Sequence, residues 1–227
     1  MPDIQLHYTE KGSGQPLILL HGNGEDSSYF IHQIGCFSKD YRVIAIDTRG
    51  HGKSPRGDKP FTIKQFAEDL KVFMDEKGIE KAVLLGFSDG GNIALTFALK
   101  NPERVEKLIL NGANLYPSGV KAIYQWPIEI GYRIARLFSN KSEKAKHNAE
   151  LLALMVNEPN IEPVELSRLT MPVLVVAGTN DMIKEWHTRL IYKSLSNAQL
   201  SIIEGDHFVA NKKPYLFNKV VEEFLRK

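Results

Sequence analysis

The chain has 227 residues, 43% hydrophobic and 25% charged, with a net charge of +2 from 29 Lys and Arg against 27 Asp and Glu. That is enough for one large domain with a sizeable core, and the near-balanced charge gives no bias toward a nucleic-acid or membrane partner. The single cysteine, Cys36, excludes an intrachain disulfide and is expected as a small core residue.

The first residues, MPDIQLHYTE, carry no basic stretch followed by an apolar one, so no signal peptide is expected. The apolar runs PLILL and PVLVVA are far too short to cross a bilayer, and the expected location is the cytoplasm. Residues 4–10 alternate and read as an edge strand. The runs at 16–22, 42–47, 82–88, 107–113, 172–178 and 199–205 are rich in Val, Ile and Leu and are bounded by Gly or Asp. Such runs fit strands buried on both faces of a sheet. Between them, 62–78 carries Ile63, Phe66, Leu70 and Phe73 at helical spacing, with Thr62 as the expected N-cap and Gly78 as the stop. Residues 89–102 read as a second helix ended by Asn101-Pro102, and 214–227 as an amphipathic terminal helix. Strands alternating with helices predict an α/β fold, a mostly parallel central sheet of about seven strands covered on both faces.

Residues 114–169 break this alternation. They hold no strand pattern, but two helical stretches, 119–138 and 142–158, the first interrupted at Pro127. An insertion after a sheet strand's carboxyl end lies over the crevice where open α/β sheets bind ligands. The expected organisation is therefore a core of 1–113 and 170–227 with a short helical lid at 114–169.

The segment LLGFSDGGNIAL (84–95) places Ser88 between a buried strand and a helix, inside the pattern G-x-S-x-G. The abrupt turn needs Gly86 and Gly90, because side chains there would collide with neighbouring backbone. It also exposes the serine hydroxyl in a strained conformation. A serine is a weak nucleophile without a base. Of the seven histidines, His207 follows the last sheet strand on a loop at the carboxyl edge. His21 and His51 sit in tight glycine loops, His7 on the edge strand, and His32, His147 and His187 on helix-like stretches, where packing or surface roles are expected. The acid that orients His207 is expected to be Asp181, which also ends a buried strand; Asp206 supports the turn instead. The oxyanion donors are expected to be the backbone N–H of Asp89, at a helix N-terminus, and that of Asn23 in the loop HGNGED, with Gly24 as the fallback.

The pieces LLHGNG (19–24), IDTRGHGKS (46–54), GFSDGG (86–91), GTNDMI (178–183) and GDHF (205–208) together resemble the α/β-hydrolase fold superfamily, in its esterase- and lactonase-like group of serine hydrolases. That resemblance implies a Ser88, Asp181, His207 triad, with the 46–54 loop, including Arg49 and His51, as scaffold near the site mouth. The chain departs from the aspartate-nucleophile dehalogenases and epoxide hydrolases of this fold. It also departs from the usual eight strands and from the longer lids common in the group.

The expected reaction is hydrolysis of small, mostly apolar carboxylic esters through an acyl-enzyme on Ser88. Tyr116, Tyr124, Trp126 and Phe138 from the lid, with Met182 and Phe208, are expected to line an apolar pocket. No metal or cofactor is implied, since there is no H-E-x-x-H, no cysteine cluster and no nucleotide-binding glycine pattern. The expected partner is a small-molecule ester. Two alternatives remain open: C–C bond, lactone or perhydrolase chemistry on the same triad, and a ligand-binding sensor that retains the fold.

Overall fold

The computed structural model describes residues 3–227. Its strands are β1 (Tyr8–Lys11), β2 (Pro16–Leu20), β3 (Arg42–Ile46), β4 (Ala82–Phe87), β5 (Val105–Asn111), β6 (Val173–Gly178) and β7 (Ala198–Ile203). They form one seven-stranded sheet in the order β1-β3-β2-β4-β5-β6-β7. Only the edge strand β1 is antiparallel, so the expected α/β class and strand number hold.

Alternation along the central strands divides the core in two, because successive side chains point to opposite faces. Ile18, Leu20, Ile44, Ile46 and Leu84 face α2 (Ile63–Glu76) and α3 (Asp89–Lys100). Leu17, Leu19, Val43, Ala45, Val83 and Leu85 face α1 (Ile31–Phe37) and α8 (Pro214–Leu225). The buried helix faces follow from sequence. On α2, Ile63, Phe66, Leu70 and Phe73 are all buried, the Thr62 hydroxyl accepts from Gln65 N–H at 3.1 Å, and Gly78 ends the helix at φ +62°. Cys36 is only half-buried on α1, where its thiol donates to Glu222 Oε1 at 3.1 Å.

Between β5 and β6 lie α4 (Ala122–Phe138) and α5 (Glu143–Asn157), joined by a short turn and packed on one another. The helix α4 runs through Pro127 without a break, contrary to the interruption expected there. Proline's missing N–H leaves the Ile123 carbonyl without its helical donor, on a turn whose side chains, Ile123 and Trp126, face solvent. The remaining helices are α6 (Glu185–Ser194) and the single turn α7 (Val209–Lys212). No described helix is long and apolar enough to cross a membrane.

Because β2 connects to a neighbour on one side and β3 crosses over to β4 on the other, the loops after β2 and β4 leave the sheet at a switch in winding direction. Open α/β sheets bind ligands outside such a point.

Candidate active site

Ser88 follows β4 and precedes α3 with φ +53° and ψ −121°, the only non-glycine residue at positive φ among those described. The cause is local crowding. A Cβ at Gly86 would lie 2.2 Å from the Gly90 carbonyl oxygen, and one at Gly90 would lie 2.0 Å from the Leu20 carbonyl oxygen. Both glycines are thus required by backbone approach. The serine carries the strain, of about 1–3 kcal/mol, because its own position is where the chain must reverse. Its N–H donates to Asn111 O at 2.8 Å, which fixes the turn on β5.

The His207 imidazole reaches this turn from the loop after β7. Its Nε2 lies 3.0 Å from Ser88 Oγ, and its Nδ1 lies 2.6 Å from Asp181 Oδ1. With a carboxylate at Nδ1, that nitrogen carries the proton and donates it, leaving Nε2 as the acceptor for the serine hydroxyl. Asp181, after β6, also accepts from Ile183 N–H at 2.9 Å and Gly178 N–H at 3.2 Å. Burial works to raise its pKa. The His207 hydrogen bond and charge and the two backbone donors outweigh burial and hold the carboxyl below its ordinary value. Asp206 does support the turn, accepting from Phe208 N–H at 2.9 Å and pairing with Lys212. The three expected residues thus converge, in an arrangement that can move a proton from a hydroxyl to a buried, charge-paired imidazole.

Asn23 and Asp89 face each other across the mouth. Among the described residues, neither backbone N–H is bonded to an acceptor. The Asn23 side chain donates to Asp89 Oδ2 and to Leu151 O of α5, both at 2.9 Å. The loop after β2 is held from two further directions. His21 bonds Gly22 O through Nδ1 at 2.7 Å and accepts Thr48 N–H on Nε2 at 3.0 Å, while Glu25 accepts Gly22 N–H at 3.2 Å. In the 46–54 loop, buried Arg49 forms ion pairs with Asp69 at 2.7 Å and Asp3 at 2.8 Å. His21, Arg49 and His51 are therefore scaffold groups, buried and fixed to backbone or paired.

Two carboxyls near the triad went unread in sequence beyond a backbone role. The Asp89 side chain is buried, with amide donors from Asn23 and from Asn92 at 3.1 Å; burial pushes its pKa up against those bonds. Asn92 in turn exchanges hydrogen bonds with the Asn114 side chain and N–H, both at 3.0 Å. Burial also pushes Glu25 up to about 7, opposed by Gly22 N–H and the charge of His207. The signal available was a run of amide and acid residues, Asn23, Asp89, Asn92 and Asn114, at strand and helix ends with no lysine or arginine beside them.

The expected aromatic pocket is only partly assembled. Phe208 lies against the triad, its ring 5.5 Å from His207 and 5.6 Å from Phe87. Met182 is half-buried beside Asp181, and its carbonyl accepts Lys121 N–H at 2.8 Å. Tyr116 packs edge-on to His187 at 4.6 Å, against the core. Tyr124, Trp126 and Phe138 are all exposed on α4, and Trp126 lines a separate, open cleft with Ile123, Pro127 and Ile130. A helix buries one face, and α4 gives that face to Gln125, Ile128 and Tyr132, with Gln125 buried and bonded toward Met155 of α5.

Comparison with known proteins identifies the family. Residues 15–133 match the family model for the alpha/beta hydrolase fold. The human serine hydrolase BPHL is 30% identical, the match covering 98% of this chain and 84% of that protein. The 3-oxoadipate enol-lactonase 2 of Acinetobacter baylyi is 27% identical, over 99% of this chain and 94% of the lactonase. Among solved structures, a thermophilic esterase from Thermogutta terrifontis superposes with a TM-score of 0.83, covering 98% of this chain and 93% of the esterase at 24% identity. A relative that shares almost the whole length, a family model that spans more than half of it and a matching sheet lead to one conclusion: the chain belongs to the alpha/beta hydrolase fold family and is a hydrolase of that fold.

Proposed function

We propose that this hydrolase cleaves carboxylic esters of small, mostly apolar, uncharged substrates through an acyl-enzyme on Ser88. The observation that carries the reading is the continuous chain from Ser88 Oγ through His207 to Asp181, at 3.0 and 2.6 Å. Ser88 Oγ attacks the ester carbonyl while His207 Nε2 takes its proton. Asp181 keeps the proton of Nδ1 in place and stabilises the imidazolium. The N–H groups of Asn23 and Asp89, free of other acceptors and the second at a helix N-terminus, receive the charge on the former carbonyl oxygen. The alcohol leaves with the His207 proton. Water, deprotonated by the same nitrogen, then releases the acid and restores Ser88.

Residues 114–169 act as a lid on the 1–113 and 170–227 core. Supporting this, α5 touches two loops at the site mouth, through Leu151 O to Asn23 at 2.9 Å and Glu150 to Arg56 at 2.7 Å. The similarity to an enol-lactonase supports a second reading, in which the ester is cyclic; the steps are the same, with the alcohol retained on the acyl group.

The test has two stages. A fluorophosphonate should leave a single adduct on Ser88, read by peptide mass spectrometry and absent from Ser88→Ala. A panel of p-nitrophenyl esters and γ- and δ-lactones then ranks the substrates. Preference for long acyl chains refutes the small-substrate reading. Turnover of vinylogous diketones but no ester moves the reaction to C–C cleavage. Tight ligand binding that Ser88→Ala leaves untouched, with no product burst, would make the chain a sensor.

A further inference from the structure

The outer face of α4 is unpartnered. Ile123, Trp126, Ile130, Ile134 and Leu137 recur every three or four residues, and each is between 52% and 79% exposed. The spacing places them in one stripe along a helix of 17 residues, about 25 Å long. Five large apolar side chains in one exposed row exceed what a surface carries by chance, and such a patch marks an interaction face.

Charge decides what covers it. Six of the 29 Lys and Arg but only two of the 27 Asp and Glu fall between residues 121 and 146, so this stretch is +4 and the rest of the chain −2. Arg133, Arg136, Lys141, Lys144 and Lys146, all exposed, gather in the last turns of α4, the short turn after it and the first turn of α5. A second copy would bring to this face a like +4 stretch and no acidic patch to complement it, and like charge across an interface is unfavourable. A basic helix with Trp, Ile and Leu along one side instead matches a surface that is apolar within and anionic without.

We propose that α4 is a membrane-surface helix, which seats Trp126, Ile130 and Leu137 at the boundary of headgroup and acyl chain in an anionic bilayer while the lysines and arginines engage lipid phosphates. The helix lies in the plane of the interface and does not cross it. The whole-chain balance of +2 argued against a membrane partner only because it averages a basic lid with an acidic core. This inference is independent of the substrate read at Ser88.

The test is co-sedimentation of the full chain with vesicles of phosphatidylcholine alone and of phosphatidylcholine with phosphatidylglycerol. Tryptophan emission is followed in a Trp186→Phe background, so that Trp126 alone reports. The expected result is binding to the mixed vesicles, a blue shift of Trp126, and at least tenfold weaker binding to the neutral ones. Binding should weaken as salt rises. Lys141→Gln with Lys144→Gln should lower partitioning about thirtyfold, at roughly 1 kcal/mol per surface cation. Ile130→Glu with Leu137→Glu should abolish binding and leave turnover of a water-soluble ester unchanged, since both side chains face solvent. Absence of binding to anionic vesicles, equal binding to neutral ones, or binding with Trp126 unshifted overturns the proposal. So does a salt-resistant dimer, seen by sedimentation velocity, that Ile130→Glu with Leu137→Glu dissociates. If the glutamate pair fails to fold by near-UV circular dichroism, the lysine pair and the salt titration decide alone.

Discussion

Replacing Gly90 by alanine tests the physical basis of the site most directly. The new methyl group would start 2.0 Å from the Leu20 carbonyl oxygen, 2.4 Å from its carbon and 2.5 Å from the His21 carbonyl oxygen. Relief therefore requires backbone movement of more than 1 Å between β2 and α3, since none of these atoms belongs to a flexible side chain. Overpacking of this kind costs about 1–3 kcal/mol, and the rigid partners place it at the upper end. The displaced segments carry both free N–H groups at the mouth, at Asn23 and Asp89, and a shift near 1 Å at such groups costs about 10²-fold in turnover. The assay pairs kcat on a short-chain p-nitrophenyl ester with urea denaturation. Gly35→Ala is the control. Nothing lies within 4 Å of its added Cβ, and alanine in α1 should gain up to about 1 kcal/mol in stability with kcat unchanged. Gly90→Ala with kcat within threefold of the parent would refute the argument that close backbone approach builds the site.

Further expectations bear on the triad and on stability. Asp181→Asn removes the charge that fixes the His207 tautomer and should lower kcat by about 10⁴-fold with the fold intact, measured by ester hydrolysis alongside thermal melting. His187 is buried, accepts Leu115 N–H on Nε2 at 2.8 Å, and is pushed down to about 4 chiefly by burial, with Lys184 adding to it. A histidine with a depressed folded pKa contributes no penalty above the unfolded value near 6.5 and destabilises as pH falls from there toward 4. The loss is about 3 kcal/mol, and His187→Gln should flatten that part of a stability-versus-pH curve. Asn111 buries both side-chain amide atoms without a partner, so Asn111→Leu should raise stability by about 1–2 kcal/mol in equilibrium denaturation.

The sheet was readable because burial on both faces forces unbroken apolar runs, as in AVLLGF of β4 and VLVVAG of β6. Ser88 was readable for a related reason: the turn permits only glycine at 86 and 90, so sterics write the motif into the sequence. His207 and Asp181 followed from their places after β7 and β6. The segment 114–169 was legible as two helices but not as surfaces. Which face of α4 turns inward depends on α5, a tertiary fact that aromatic residues at 124, 126 and 138 do not record. The helix α1, with a glycine and a histidine in seven residues, carries too short and mixed a pattern to be read at all. Whole-chain charge hid the basic stretch at 121–146 for the simpler reason that an average erases segregation.

The carboxyls around His207 explain how one imidazole can be poised by three acids. Asp181 gains a charged hydrogen bond at 2.6 Å and two N–H donors, which hold it ionised against burial. Asp89 and Glu25 are buried with only amide donors, so both are pushed toward the neutral form, Glu25 to about 7. Splitting the titrations leaves one strong anion, on the nitrogen that must keep its proton, and weakens the others. Pairs of acids driven apart by environment are how a site assigns roles to chemically equal groups. Asn23 belongs to this division as well. It donates to Asp89 and to Leu151 O at once, so any motion that lifts α5 from the mouth also alters what Asp89 receives. The helix α5 and the electrostatics behind the nucleophile are thus joined through a single amide.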